Sequence, residues 1–77
     1  MKIKVIVTLK QGVLDPQGKA IQQTLNGMNF DKVSEVRQGK FFEIEVIEND
    51  ESKAKSLVDD MCKKLLANLV IEDYQIV

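Results

Sequence analysis

Apolar and polar residues alternate from the start of the chain. Ile3, Val5, Val7 and Leu9 fall on one side, and Lys2, Lys4, Ile6, Thr8 and Lys10 on the other. A period of two carried by β-branched residues predicts a half-buried strand over Lys2 to Lys10. The period then changes. Asp15-Pro16 is a helix-start signal, because Asp15 can cap free amides and Pro16 suits the first helical position. Ile21, Leu25 and Met28 follow at helical spacing, with Ala20 and Thr24 in the same stripe. Asn29 is a left-handed stop, and Gly18 in the first turn implies a close backbone approach.

Val33 to Arg37 predicts a short strand, Gln38-Gly39 a tight turn, and Lys40 to Glu48 a second alternating strand. Phe42, Ile44 and Val46 point one way; Phe41, Glu43, Glu45 and Ile47 point the other. Asn49-Asp50 offers another cap. Ala54, Leu57, Val58, Met61, Cys62, Leu65 and Leu66 then form a broad helical stripe, with Lys63 and Lys64 in its final turns. Val70 to Val77 closes as a strand.

The order β-α-β-β-α-β predicts an α+β, two-layer ferredoxin-like sandwich in one domain over residues 1–77. Its four-stranded antiparallel sheet has the order 4-1-3-2, with both helices on one face. Lys2 and Lys4 would then share the open face with Glu43 and Glu45 of the neighbouring strand. Ile6, Phe41 and Ile47 interrupt that face with apolar surface. They are candidate self-association residues.

Composition narrows the chemistry. The chain has 77 residues, a net charge of −1, one cysteine and no histidine. A domain this size buries only about 60% of the surface its unfolded chain exposes, so association is the expected source of extra stability. A Ser-His or Cys-His nucleophile cannot be built within the chain. One cysteine and no histidine cannot supply a tetrahedral zinc set. Cys62 lies in an apolar stripe and reads as an inert core thiol. No catalytic, cofactor-binding or metal-binding residue is assigned. Near-neutral charge gives no reason to expect nucleic acid or acidic membranes as partners. No apolar run reaches the roughly 20 residues of a membrane span, and Met1-Lys2-Ile3-Lys4 lacks a signal-peptide core. A cytoplasmic location is expected.

Two weaker patterns leave alternatives open. The loop from Lys10 to Lys19 looks superficially like a phosphate cradle, but it lacks the Walker spacing and Asp15 would repel an anion. Phe41 lies where an RNA-recognition module of this topology places a stacking aromatic, yet Glu43 and Glu45 flank it. A free-standing RNA-binding or ACT-type small-ligand module is therefore the alternative reading.

Three blocks carry a resemblance. They are Val13-Leu14-Asp15-Pro16-Gln17-Gly18-Lys19-Ala20, Val33-Ser34-Glu35-Val36-Arg37-Gln38-Gly39-Lys40, and Leu65 to Tyr74. Together they resemble the PurS family, the small subunits of phosphoribosylformylglycinamidine (FGAM) synthase in purine biosynthesis. The resemblance covers essentially the whole chain. It departs at Asn29, where the family often has Gly, and at Leu69, where Pro is common.

The resemblance implies an accessory subunit with no catalytic centre of its own. It would work in an ATP- and glutamine-dependent amidoligase, bridging a large synthase subunit (PurL-like) and a glutaminase subunit (PurQ-like). ATP and Mg are expected on the large subunit and none on this chain. The implied chemistry is activation of the amide oxygen of formylglycinamide ribonucleotide, then attack by ammonia carried along a protected path. The chain would also pair with itself, as a dimer or tetramer. Candidate docking residues are Asp15, Pro16, Gln17, Gly18 and Lys19 in one segment, and Arg37, Gly39 and Lys40 in another. Arg37 is the only arginine, and its planar fork suits an interfacial carboxylate.

Overall fold

The alternation in the first ten residues forms the middle of a sheet. In the computed structural model, which describes residues 1–77, strand β1 spans Lys2–Leu9. It buries Ile3, Val5 and Val7 and exposes the residues between them. Helix α1 follows at Pro16–Gly27, strand β2 at Gly39–Glu45, helix α2 at Glu51–Met61 and strand β3 at Glu72–Ile76. A single π-helical turn, Cys62–Leu66, extends α2.

Asp15 and Asp50 cap the two helices. Asp15 accepts from the Gly18 amide, and Asp50 accepts from the amides of Ser52 (2.9 Å) and Lys53 (3.3 Å). Each carboxylate satisfies donors that a helix start leaves unpaired. Asn29 takes the left-handed conformation, with φ 74°, just after α1.

The sheet has three strands in the order β2-β1-β3, and both pairings are antiparallel. The predicted four-stranded 4-1-3-2 sandwich is therefore not the architecture. The missing member is the strand expected over Val33 to Arg37, which joins no ladder. The physical reason lies at Gly39. A tight two-residue hairpin turn needs a positive φ, and Gly39 does not adopt one. It stands instead inside β2 opposite Thr8, where an added Cβ would come within 2.6 Å of the Val7 carbonyl oxygen. Glycine here allows close strand contact rather than reversal.

The helices also do not share one layer. Ala54, Val58 and Cys62 bury against Ile3, Val5 and Val7, so α2 covers the sheet. Helix α1 makes no comparable contact with any strand. Its stripe stays open: Ile21 and Met28 are exposed and Leu25 is half-buried. The outcome is an elongated molecule of 49 × 23 × 14 Å. Its radius of gyration is 16.0 Å. A compact chain of this length has roughly 11–12 Å.

On the open face of the sheet, Lys4 lies opposite Glu43 and Lys2 opposite Glu45, with Lys2 Nζ 3.5 Å from Glu43 Oε2. Strand β3 is tied down by Tyr74, whose hydroxyl donates to Asp59 on α2 at 2.5 Å. Lys63 completes that cluster, 3.0 Å from the other Asp59 oxygen.

Candidate functional site

Asp15 is the one buried charged residue, and it does more than cap α1. Oδ1 accepts from Gly18 N at 2.8 Å, and Oδ2 accepts from Gln38 N at 2.7 Å. These donors hold the carboxyl below its ordinary range, the Gln38 amide contributing most, then the Gly18 amide, and Arg37 adds to them. A single carboxylate thus joins the first turn of α1 to the residues that enter β2.

Gly18 completes the joint. The Val36 carbonyl oxygen occupies the space that a Cβ would need. The close approach expected at this glycine is made by the chain's own backbone. Arg37 reinforces it by donating from Nη2 to the Lys10 carbonyl at 3.1 Å, and its Nη1 lies 3.9 Å from Glu35 Oε1.

The two segments singled out in the sequence are therefore one place. Asp15, Gly18 and Arg37 meet at this joint, while Gly39, next to Gln38, packs against Val7 and Thr8 of β1 instead. Pro16, Gln17, Lys19 and Lys40 surround it on the surface. Lys40 Nζ lies 3.7 Å from Glu72 Oε2 on β3. A concavity of about 280 Å³ opens on one side, lined by Leu14, Lys19, Gln22, Ser34 and Glu35 among others. A smaller one of about 160 Å³ lies on the other side, between Gln17, Gln38, Lys40 and Glu72. Lys19 and Arg37 are balanced here by Asp15 and Glu35. A polar, charge-balanced surface suits a protein partner better than a free anion.

The proposed self-association residues are only partly brought together. Ile6 and Phe41 are direct cross-strand partners on the open face, and both are exposed. Ile47 lies past the end of β2, fully exposed and apart from them. The sequence reading missed further exposed apolar surface on and just beyond α1: Ile21 within the helix, and Met28 and Phe30 past its end. The signal was present in the helical spacing, but it reads equally well as a core stripe.

Fold and surface together define a presenting scaffold: a helix-covered sheet and a projecting helix, locked by one carboxylate, with apolar surface to spare. The comparisons give that scaffold a family. The sequence model described as "PurS: Phosphoribosylformylglycinamidine (FGAM) synthase" matches residues 2–77, and the chain belongs to this family. It is 51% identical over 74 residues to the phosphoribosylformylglycinamidine synthase subunit PurS of Bacillus subtilis, covering 96% of this chain and 87% of that one. The crystal structure of PurS from Methanocaldococcus jannaschii superposes with a TM-score of 0.87 at 50% identity, covering 99% of this chain and 92% of that one. A chain in the structure of PurLQS from Thermotoga maritima gives a TM-score of 0.90 at 32% identity, covering 99% and 93%.

Proposed function

We propose that this chain is the small, non-catalytic subunit of FGAM synthase in purine biosynthesis. It seats between the ATP-dependent synthase subunit and the glutaminase subunit and supports delivery of ammonia from glutamine to formylglycinamide ribonucleotide. The observation that carries this reading is the match along 99% of the chain to a member of the three-component PurLQS structure. Family membership over residues 2–77 displaces the free-standing RNA-binding and ACT-type readings.

The physical logic is one of containment. Ammonia released into bulk water at neutral pH is protonated and loses its nucleophilic lone pair, so a path between two active sites must be walled. A subunit that supplies wall and spacing needs shaped surface rather than acid–base groups. ATP and magnesium belong on the large subunit in this reading, and the complex works in the cytoplasm. No helix here is long and apolar enough to cross a membrane. The chain also pairs with itself, which gives the exposed apolar residues of α1 and the open sheet face a partner.

The surface around the Asp15 joint is the docking element. Arg37 and Lys40 present charge at its rim without being needed for the joint's two Asp15 hydrogen bonds. Replacing both with Ala is expected to lower glutamine-dependent activity of the reconstituted complex and weaken co-elution. Unchanged activity with unchanged co-elution would remove the docking role.

A further inference from the structure

Helix α1 and the segment that returns from it to β2 are laced together at both ends. At one end Asp15 accepts from the amides of Gly18 and Gln38, and the Val36 carbonyl packs on Gly18. At the other, the Asn26 side-chain amide donates to the carbonyls of Phe30 (3.0 Å) and Val33 (3.1 Å). The Phe30 amide returns to the Leu25 carbonyl at 3.0 Å, with Asn29 left-handed beside it.

The junction of this unit with the sheet is built differently. No apolar side chain of residues 13–38 belongs to the core or packs against it. Its hydrogen bonds to the rest of the chain all end on one atom, the Lys10 carbonyl oxygen. That oxygen accepts from Val13 N and from Arg37 Nη2, each at 3.1 Å. Lys10 itself is held by the sheet: its amide donates to the Ile71 carbonyl at 2.8 Å, and its ammonium pairs with Asp73. Gly12, between Lys10 and Val13, is left-handed at φ 84° with open space around it. On the other side of the junction, a gap of about 160 Å³ separates Asp15, Gln17 and Gln38 from Leu9, Lys40 and Glu72. Two chain crossings with no packed apolar contact between the bodies are the makings of a hinge.

We infer that residues 13–38 turn as one rigid arm about Gly12 and Gln38, and that the Arg37–Lys10 hydrogen bond is the clasp that sets the arm's angle to the sheet. The hinge belongs to the chain itself and stands whether or not the docking reading does. Glycine at position 12 can take either sign of φ and so absorbs the rotation at one crossing. At the other the motion stops at Gln38, because Gly39 is pressed against the Val7 carbonyl inside β2. The gap gives the swing its direction. Closing it brings Gln17 and Gln38 toward Lys40 and Glu72, so polar groups on the two walls meet each other instead of water. The arm carries Ile21, Met28 and Phe30 with it, so its angle decides where that exposed apolar surface lies relative to the sheet.

The test is the measurement of amide residual dipolar couplings on the full chain in a dilute alignment medium, fitted separately for the arm and for the sheet with α2. In the unmodified chain both bodies should share one alignment. In Arg37→Ala the arm should lose alignment magnitude relative to the sheet while each body still fits its own geometry. The amides of Gly18 and Gln38 should stay protected from hydrogen exchange, showing that the arm is loosened as a unit and not melted. Glu35→Ala, which removes the neighbouring ion pair and leaves the clasp, should behave as the unmodified chain. One shared alignment in Arg37→Ala overturns the hinge. Separate alignments already present in the unmodified chain, or a loss in Glu35→Ala as large as in Arg37→Ala, overturn the clasp. An arm that no longer fits its own geometry in Arg37→Ala, with Gly18 and Gln38 exchanging freely, overturns the rigid arm.

Discussion

Asp15 shows how far a single residue can be read in advance. Its capping role is a local pattern, three residues from its Gly18 donor, and the Asp15-Pro16 pair announces it. Its second bond, to Gln38, spans 23 residues and leaves no trace in the linear pattern. The same holds for Gly18: the need for a small residue is legible, but the identity of the approaching atom is not. Because both amides stabilise the ionised form, the folded carboxyl sits below its ordinary value. Its contribution to stability is then present above the unfolded carboxylate value of about 3.9 and disappears as pH falls through the folded one. Asp15→Asn should therefore destabilise most near neutrality, and its deficit should shrink toward about pH 2. Urea unfolding at a series of pH values measures this. A deficit of constant size across that range would show that charge on Asp15 does not matter.

At the scale of elements, β1, α1 and α2 were legible because each keeps one period from end to end. Two features broke the pattern. Gly39 in a Gln38-Gly39 pair reads as a turn, but the chain uses it to bring β2 close to Val7, and the hairpin is lost. The π turn after α2 adds a residue to the helical ladder, with the Ala67 amide reaching back to the Cys62 carbonyl. That insertion rotates the end of the helix, so Leu65 faces solvent while Leu66 packs on the core. Cys62, at the start of that turn, is fully buried beside Ala54 and Val58. Desolvation, helped by the nearby Asp59 charge, pushes its thiol above the usual range. Native protein should resist thiol alkylation at neutral pH and react only on unfolding. Cys62→Ser, which buries a hydroxyl in an apolar site, should cost about 1–3 kcal/mol in a denaturant titration. Rapid labelling of the native chain would contradict the burial.

The whole molecule departs most from what sequence could show. Nothing in the linear pattern tells a core stripe from a stripe awaiting a partner, and α1 carries the second kind. A chain 49 Å long, with Ile21, Met28 and Phe30 exposed on its projecting arm and Ile6 and Phe41 on its sheet, is shaped for assembly. Surplus apolar surface on a small subunit becomes stabilising when a partner covers it. The family assignment, by contrast, was legible from three blocks of sequence, because together they fill most of the joint and both of its flanks.

The central claim is that this chain couples glutamine hydrolysis to amidation without performing either reaction. It is tested most directly by reconstituting FGAM synthase from its ATP-dependent and glutaminase subunits with and without this chain, and measuring amidation driven by glutamine and, separately, by added ammonium. The account predicts that omitting the chain abolishes or strongly reduces the glutamine-driven rate while the ammonium-driven rate persists. A glutamine-driven rate that is the same with and without the chain would contradict it.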